Sequence, residues 1–128
     1  MNLKFYYDFA QAVKIIAQQL ASPDVDVRAR SVGCVHNLSA DAASLGLLRE
    51  AGCLPAVVAL LRDSSPELCR AAAGIVQNTA REEAARLILE EAGAVALLLD
   101  LLTSSDVECQ VITRTIIVVQ LYSSMIFN

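Results

Sequence analysis

Sliding the 128-residue sequence against itself gives one register, at 41 residues, that holds across a whole window. Ten of the 41 aligned positions are identical between residues 20–60 and 61–101. Leu20 falls on Leu61 and Leu102, Gly33 on Gly74, Val35 on Val76, Asn37 on Asn78, Ala43 on Ala84 and Leu60 on Leu101. Leu48-x-Glu50-Ala51-Gly52 falls on Leu89-x-Glu91-Ala92-Gly93, and others are swapped conservatively, as Asp26 with Glu67. A period of this length means that no unit buries its apolar face alone; neighbours must stack to make a core. With about three units usually needed, the chain stands near the minimum.

Within a unit the apolar residues recur at helical spacing: Val27, Val32, Val35 and Leu38, then Leu45 and Leu48, then Leu54, Val57, Val58 and Leu61. The pattern predicts three helices per unit. The first covers residues 41–51 and is closed by Gly52, suited to the left-handed conformation past a helix end, with Gly93 repeating the device. The second covers residues 54–62, with Pro55 in a first turn where a missing N–H costs nothing. The third is expected to start at an N-cap serine: Ser22 before Pro23, Ser65 before Pro66, and Ser105 with Glu108 three residues on. The chain then divides into an atypical segment and partial repeat (1–21), two repeats (22–63 and 64–104) and a final partial repeat (105–128), all one domain. A content of 55% hydrophobic and 19% charged residues supports a filled core rather than disorder.

A period of about 40–47 residues with two or three helices belongs to the armadillo and HEAT solenoids. The segments SVGCVHNLSA (31–40) and AGIVQN (73–78) resemble the armadillo third helix, with a small residue and an Asn near its end. LLREAGCLPAVVALL (47–61) and ILEEAGAVALLLDLL (88–102) resemble the armadillo passage from first to second helix. The resemblance covers about residues 11–120. It implies an all-α, right-handed armadillo-type α-solenoid of about two full repeats plus partial terminal units. Val119 stands where a third Asn is expected and Thr115 replaces the Gly. The family's nuclear-import adaptors grip basic peptides with Trp beside that Asn, and this chain has no Trp, which argues against an import-signal receptor.

Stacking puts the third helices along one concave face. A carboxamide both donates and accepts, so Asn37 and Asn78 can pair with the backbone of an extended peptide whatever its side chains. Helices pack about 8–10 Å apart and a strand rises about 3.3 Å per residue, so each Asn serves roughly every two or three ligand residues. His36, Gln77, Arg30 and Ala71 flank the Asn residues on nearly the same face, while Gly33 and Gly74 leave room for a ligand side chain. The other reading is that the glycines permit close helix packing and the Asn residues cap the loops after their helices. The expected function is a non-enzymatic module binding a protein or peptide. The alternatives are a structural fragment of a longer array that acts through self-association or end contacts, or, by resemblance, a regulator of an Hsp70 chaperone.

The net charge of -4 argues against nucleic acid, and scattered basic residues argue against a polybasic membrane anchor. The start of the chain has no signal-peptide pattern, and the apolar stretch 115–127 is shorter than the roughly 20 residues that span a bilayer. Cys34, Cys53, Cys69 and Cys109 lie 19, 16 and 40 residues apart, unlike zinc ligands, and are expected reduced and buried, which favours the cytoplasm or nucleus. His36 is the single histidine. Ser31, His36 and Asp41 stand five apart, turning each about 140° from the last, and Cys34 points away from His36, so neither a triad nor a metal pair forms there. Neither catalysis nor a cofactor is expected. Glu82, Glu83, Glu90 and Glu91, with Arg86, read as a solvated helical face. All six aromatics, Phe5, Tyr6, Tyr7, Phe9, Tyr122 and Phe127, lie outside the repeats. The last helix, with Ile116, Ile117, Val118, Val119 and Leu121, is expected to want cover, from another copy or a partner.

Overall fold

The structure, a computed structural model, describes residues 2–127, and side chains as far as residue 119. Tyr122, Phe127 and Leu121 therefore lie outside the described side chains. Among the described residues there are eight α-helices and no strand: α1 (Leu3–Gln19), α2 (Val25–Ser39), α3 (Leu45–Glu50), α4 (Cys53–Leu60), α5 (Pro66–Thr79), α6 (Glu83–Glu91), α7 (Ala94–Leu101) and α8 (Val107–Phe127). A 3-10 turn, Ala42–Ser44, leads into α3. One period carries α3 onto α6, α4 onto α7, and α2 onto α5 onto α8, giving an all-α, right-handed solenoid.

The junction between first and second helices turns on a glycine each time. Gly52 and Gly93 have φ of 76° and 86°, the only positive values among the described residues. An L-residue with a Cβ is disfavoured there, so glycine is what lets the chain turn sharply within two residues, by 93° between Ala42–Glu50 and Cys53–Leu60. One period before Gly52 stands Gln11. With no glycine to break it, α1 runs straight through the place where two helices would otherwise meet. The atypical start is thus a first and second helix fused into 17 residues.

The third helices begin differently from the sequence expectation. Of the three serines, only Ser65 is the residue ahead of its helix, with Pro66 at the first position. The caps of the other two are aspartates. Asp24 Oδ1 accepts from the backbone N–H of Asp26 at 2.8 Å and Val27 at 3.4 Å, and Asp106 Oδ1 accepts from that of Cys109 at 3.0 Å. Asp24, Ser65 and Asp106 are spaced at 41, whereas Ser22, Ser65 and Ser105 are not. Two residues ahead of each cap stand Ser22, Asp63 and Ser104, whose side chains accept the cap residue's own N–H at 3.2, 3.0 and 3.1 Å. The serines signal the turn before the helix; the next polar residue but one makes the cap. Ser65 Oγ instead donates to Glu67 Oε2 at 3.0 Å and makes no cap bond.

Along the stack α2 packs on α5 and α5 on α8, with α4 against α5 and α6 against α4. Val35, Cys53, Val57, Ala72, Ala73 and Ile75 are wholly buried between these layers. At the last helix Ile116 is buried and Ile117 half-buried, so only Val118 and Val119 among the described residues of the apolar set stand exposed. At the other end Phe5, Tyr6 and Tyr7 are exposed and Phe9 is half-buried, the Phe5 and Phe9 rings stacked at 6.3 Å. No single helix among the described residues is long and apolar enough to cross a membrane.

Two substitutions test these local rules in urea unfolding. Nothing lies within 4 Å of a Cβ placed on Gly52, so Gly52→Ala should lose only the backbone preference, about 1–2 kcal/mol. Asp24→Ala should lose about 1 kcal/mol, and Ser65→Ala distinctly less, because Ser65 makes no cap bond.

Candidate peptide-binding face

Helices α2, α5 and α8 carry the residues that the sequence singles out, and the structure sets them in an ordered relation. Asn37 is exposed near the end of α2 and, among the described residues, takes part in no side-chain hydrogen bond. Asn78, one period on, is half-buried. Its Nδ2 donates to Ser39 Oγ at 3.0 Å, and Ser39 Oγ, wholly buried, donates to the His36 carbonyl at 2.7 Å. Asn78 therefore clasps the unit before it, and its backbone carbonyl accepts from Arg81 Nε at 2.9 Å. Among the described residues no donor reaches its Oδ1.

The glycines differ just as the asparagines do. A Cβ on Gly74 would lie 2.7 Å from His36 Nε2, so the imidazole of one unit is seated on the bare backbone of the next. A Cβ on Gly33 would meet nothing within 4 Å. Gly33 has the same place in the register but carries no imidazole over it. Gln77 is half-buried beside Asn78, and Arg30 is exposed on α2 with no ion pair among the described residues. Arg30, Gly33 and Asn37 follow one another at three- to four-residue steps and so share a stripe of α2.

Beyond Asn78 the ladder changes character. One period carries Ser39 to Ala80 and Asn78 to Val119, so the clasp and its partner are both lost together. In their place is a cavity of about 340 Å³ between the end of α5 and α8, with Gln77, Asn78 and Arg81 on its polar side and Ala80, Ile116 and Val119 on its apolar side. Sequence reading marks Val119 as a missing rung and counts it, with Ile116, in the apolar set of the last helix, but passes over Arg81. The signal was available in the paired change of Ser39 to Ala80 and Asn78 to Val119.

The acidic doublets are not a uniformly solvated face. Glu82 stands ahead of α6, half-buried, and pairs with Arg49 of α3, while Arg86 Nη1 donates to the Ala80 carbonyl at 2.9 Å. Between third helices, Arg70 of α5 pairs with Asp106 at 3.6 Å and Glu108 at 3.0 Å.

The thiols are free and not uniformly buried: Cys34 is exposed, whereas Cys53, Cys69 and Cys109 are covered. Burial pushes the Cys53 thiol up to about 11. Burial and then the neighbouring Cys69, whose Sγ is 3.9 Å away, push Cys109 up to about 12, and burial raises Cys69. Thiols held protonated are poor nucleophiles. Among the described residues no three His, Cys, Asp or Glu side chains are placed to hold a metal ion.

The two glycines give opposite expectations. Gly33→Ala should stabilise by about 0.5–1 kcal/mol, through helix propensity alone, whereas Gly74→Ala should destabilise until His36→Ala removes the ring it strikes. Equilibrium unfolding of the two single variants and the Gly74→Ala, His36→Ala pair checks both signs. Of the four cysteines, a disulfide reagent at neutral pH should titrate Cys34 fast and the other three only on unfolding.

Residues 46–81 match the model of the armadillo/beta-catenin-like repeat. No curated protein matches the sequence. Among solved structures, the chain is similar to a designed armadillo repeat protein in complex with the peptide (KR)4, at 26% identity and a TM-score of 0.79, over 86% of this chain and 47% of that one. It is similar to computationally designed armadillo repeat proteins for modular peptide recognition, at 28% identity and a TM-score of 0.79, over 84% of this chain and 46% of that one. A further designed armadillo repeat protein, YIII(Dq)4CqI, superposes at 28% identity and a TM-score of 0.78. The chain thus spans about half the length of the designed proteins it matches. With the 41-residue register, the left-handed glycine junctions and the three stacked third helices, these matches show an armadillo repeat at residues 46–81 and an armadillo-type solenoid fold for the chain.

Proposed function

We propose that the chain is a non-catalytic protein-binding module that holds an extended peptide segment across α2, α5 and α8. The observation that carries this reading is the pair Asn37 and Asn78: both keep an amide oxygen unengaged by the described residues, one period apart on stacked helices. Asn37 offers its whole carboxamide. Asn78 spends its donor on Ser39, which fixes the side chain and leaves the oxygen to accept a peptide N–H. An acceptor held in place by a buried partner loses little freedom on binding. Arg30, Gly33, His36, Gly74 and Gln77 flank this path, Gly33 with open space over it and Gly74 beneath the imidazole. The cavity walled by Ile116 and Val119 takes an apolar side chain of the same peptide.

Support for a non-catalytic role comes from what the nucleophiles and bases are doing. His36, the single imidazole, is seated over Gly74, and the three covered thiols are held protonated. The peptide complex of the designed relative supports a peptide partner here without naming one.

An array of immobilised eight-residue peptides of varied sequence, probed with the whole chain, tests the proposal. Asn37→Ala should leave the melting temperature unchanged and weaken the best binders about five- to tenfold, the worth of one or two hydrogen bonds. Asn78→Ala should lose stability, about 1 kcal/mol, and binding together. Unchanged binding by Asn37→Ala, or binders that ignore Val119→Asp, would remove the face from consideration.

A further inference from the structure

We infer that Cys69 and Cys109 are a redox-operated clasp, which hydrogen peroxide closes into a disulfide that ties α5 to α8. Cys69 stands near the start of α5 and Cys109 near the start of α8, with their sulfurs 3.9 Å apart. Both line a cavity of about 210 Å³ between the two helix starts, walled by Leu61, Ser104 and Asp106 and edged by the exposed Ser64 and Ser105.

The register shows what the pair replaces. One period earlier the corresponding positions are Arg28 and Leu68. Arg28 fills its place with a guanidinium that pairs with Asp63 at 3.0 Å and donates to the Ser22 and Pro23 carbonyls, and Leu68 is buried. In the last unit Arg28 becomes Cys69, Asp63 becomes Ser104 and Leu68 becomes Cys109. Both members of the ion pair go together, and a cavity stands where the long side chain would be. Arg70 still joins α5 to α8 through Asp106 and Glu108, but at the partly exposed surface, where ion pairs contribute little. What the three changes add is a second thiol within reach of the first.

A disulfide needs the sulfurs about 2.0 Å apart, so each must move by about 1 Å, which side-chain rotation supplies. A peroxide molecule, about 60 Å³ at two water volumes, fits the cavity. The Cys109 thiol donates to Cys69 Sγ, and the Cys69 thiol donates to the Leu61 carbonyl at 3.3 Å. Burial raises both thiols, but the bond between them opposes that rise at Cys69 and adds to it at Cys109, so Cys69 is the attacking sulfur. Deprotonated, it attacks one peroxide oxygen; the O–O bond breaks, and the hydroxide released takes up the thiol's proton as water. Cys109 Sγ then attacks the sulfenic sulfur of Cys69; the S–O bond breaks, and hydroxide leaves as water with the Cys109 proton. Peroxide is reduced to two waters while two thiols are oxidised to one neutral disulfide. A neutral product suits a place that burial and Asp106 make hostile to thiolates. A metal dithiolate would bury the charge that this place opposes, and among the described residues no third ligand stands by. The same protonation makes the oxidation slow.

The test uses the whole chain with Cys34→Ser, which removes the exposed thiol, kept in millimolar hydrogen peroxide overnight under native conditions. In peptide maps made without reductant, the peptides that carry Cys69 and Cys109 should be joined, two hydrogen atoms lighter than their sum, with Cys53 still free. The oxidised chain should melt about 10 °C above the same sample after dithiothreitol, as expected for a bridge that closes a loop of 40 residues. With Cys69→Ser or Cys109→Ser added, dithiothreitol should leave the melting temperature of the treated chain unchanged. The inference is overturned if the two peptides are not joined, if Cys69 gains oxygen atoms instead, if the bridge joins another pair, or if the bridged chain melts no higher than the reduced one.

Discussion

In this stack an apolar face made by one unit is covered by the next. Leu54, Val57 and Val58 on α4 are almost wholly buried only because further helices are packed on them. Wherever a neighbour is present, the shared surface is dry and aliphatic; at the far end, where the described residues place none, Val95 and Leu99 stand half in solvent while Leu98 stays buried. Each further feature answers to that dependence. The left-handed glycines bring first and second helices into reach of the neighbouring unit, and the aspartate and serine caps start each third helix at the same level. The side chains of His36 and Asn78 fasten one third helix to the next.

Polar groups are used sparingly at these junctions; Thr113 of α8 is wholly buried with no partner for its hydroxyl among the described residues, but the others are paired. Asn78 reaches Ser39, whose hydroxyl is wholly buried, and one period later Val119 and Ala80 replace both. Losing Asn78 alone would leave Ser39 its bond to the His36 carbonyl, whereas losing Ser39 alone would leave the half-buried Asn78 amide without its acceptor. A similar economy appears at the start of the third helices. Arg28 Nη1 donates to the Ser22 carbonyl at 3.0 Å, and Gln110, two periods on, donates through its amide to the Ser104 carbonyl. Two different side chains at one register position serve the same backbone oxygen.

The architecture was legible in the sequence because it is periodic: apolar spacing, Gly52 and Gly93 recur in one frame, and a frame survives errors at individual positions. The caps show where that reading fails. Serine before proline is a strong local signal, but the chain turns at Ser22 and caps at Asp24; the register, applied strictly, would have rejected Ser22 and Ser105 as caps. The site was legible as positions and not as contacts. Asn37 and Asn78 look equivalent on paper, yet Asn78 has a preceding unit to clasp while Asn37 has no described partner. Gly33 and Gly74 differ for the same reason, since only Gly74 has an imidazole above it. Equivalence in sequence becomes inequivalence in structure wherever a repeat lacks a neighbour.

Gln11 is a small change in the repeat with a long reach. By leaving α1 unbroken, it makes one boundary of the stack a single rigid rod, fixed to the core through Val13, Ala17 and Leu20. The opposite boundary, α7 with Val95 and Leu99 bare, is held from fewer sides. A row of units coupled only to nearest neighbours behaves as a one-dimensional lattice, and such a lattice with one clamped end and one free end has a direction. Among the described helices the asymmetry is one of neighbours: α1 packs on α2, α3 and α4, whereas α7 packs chiefly on α6 and α8.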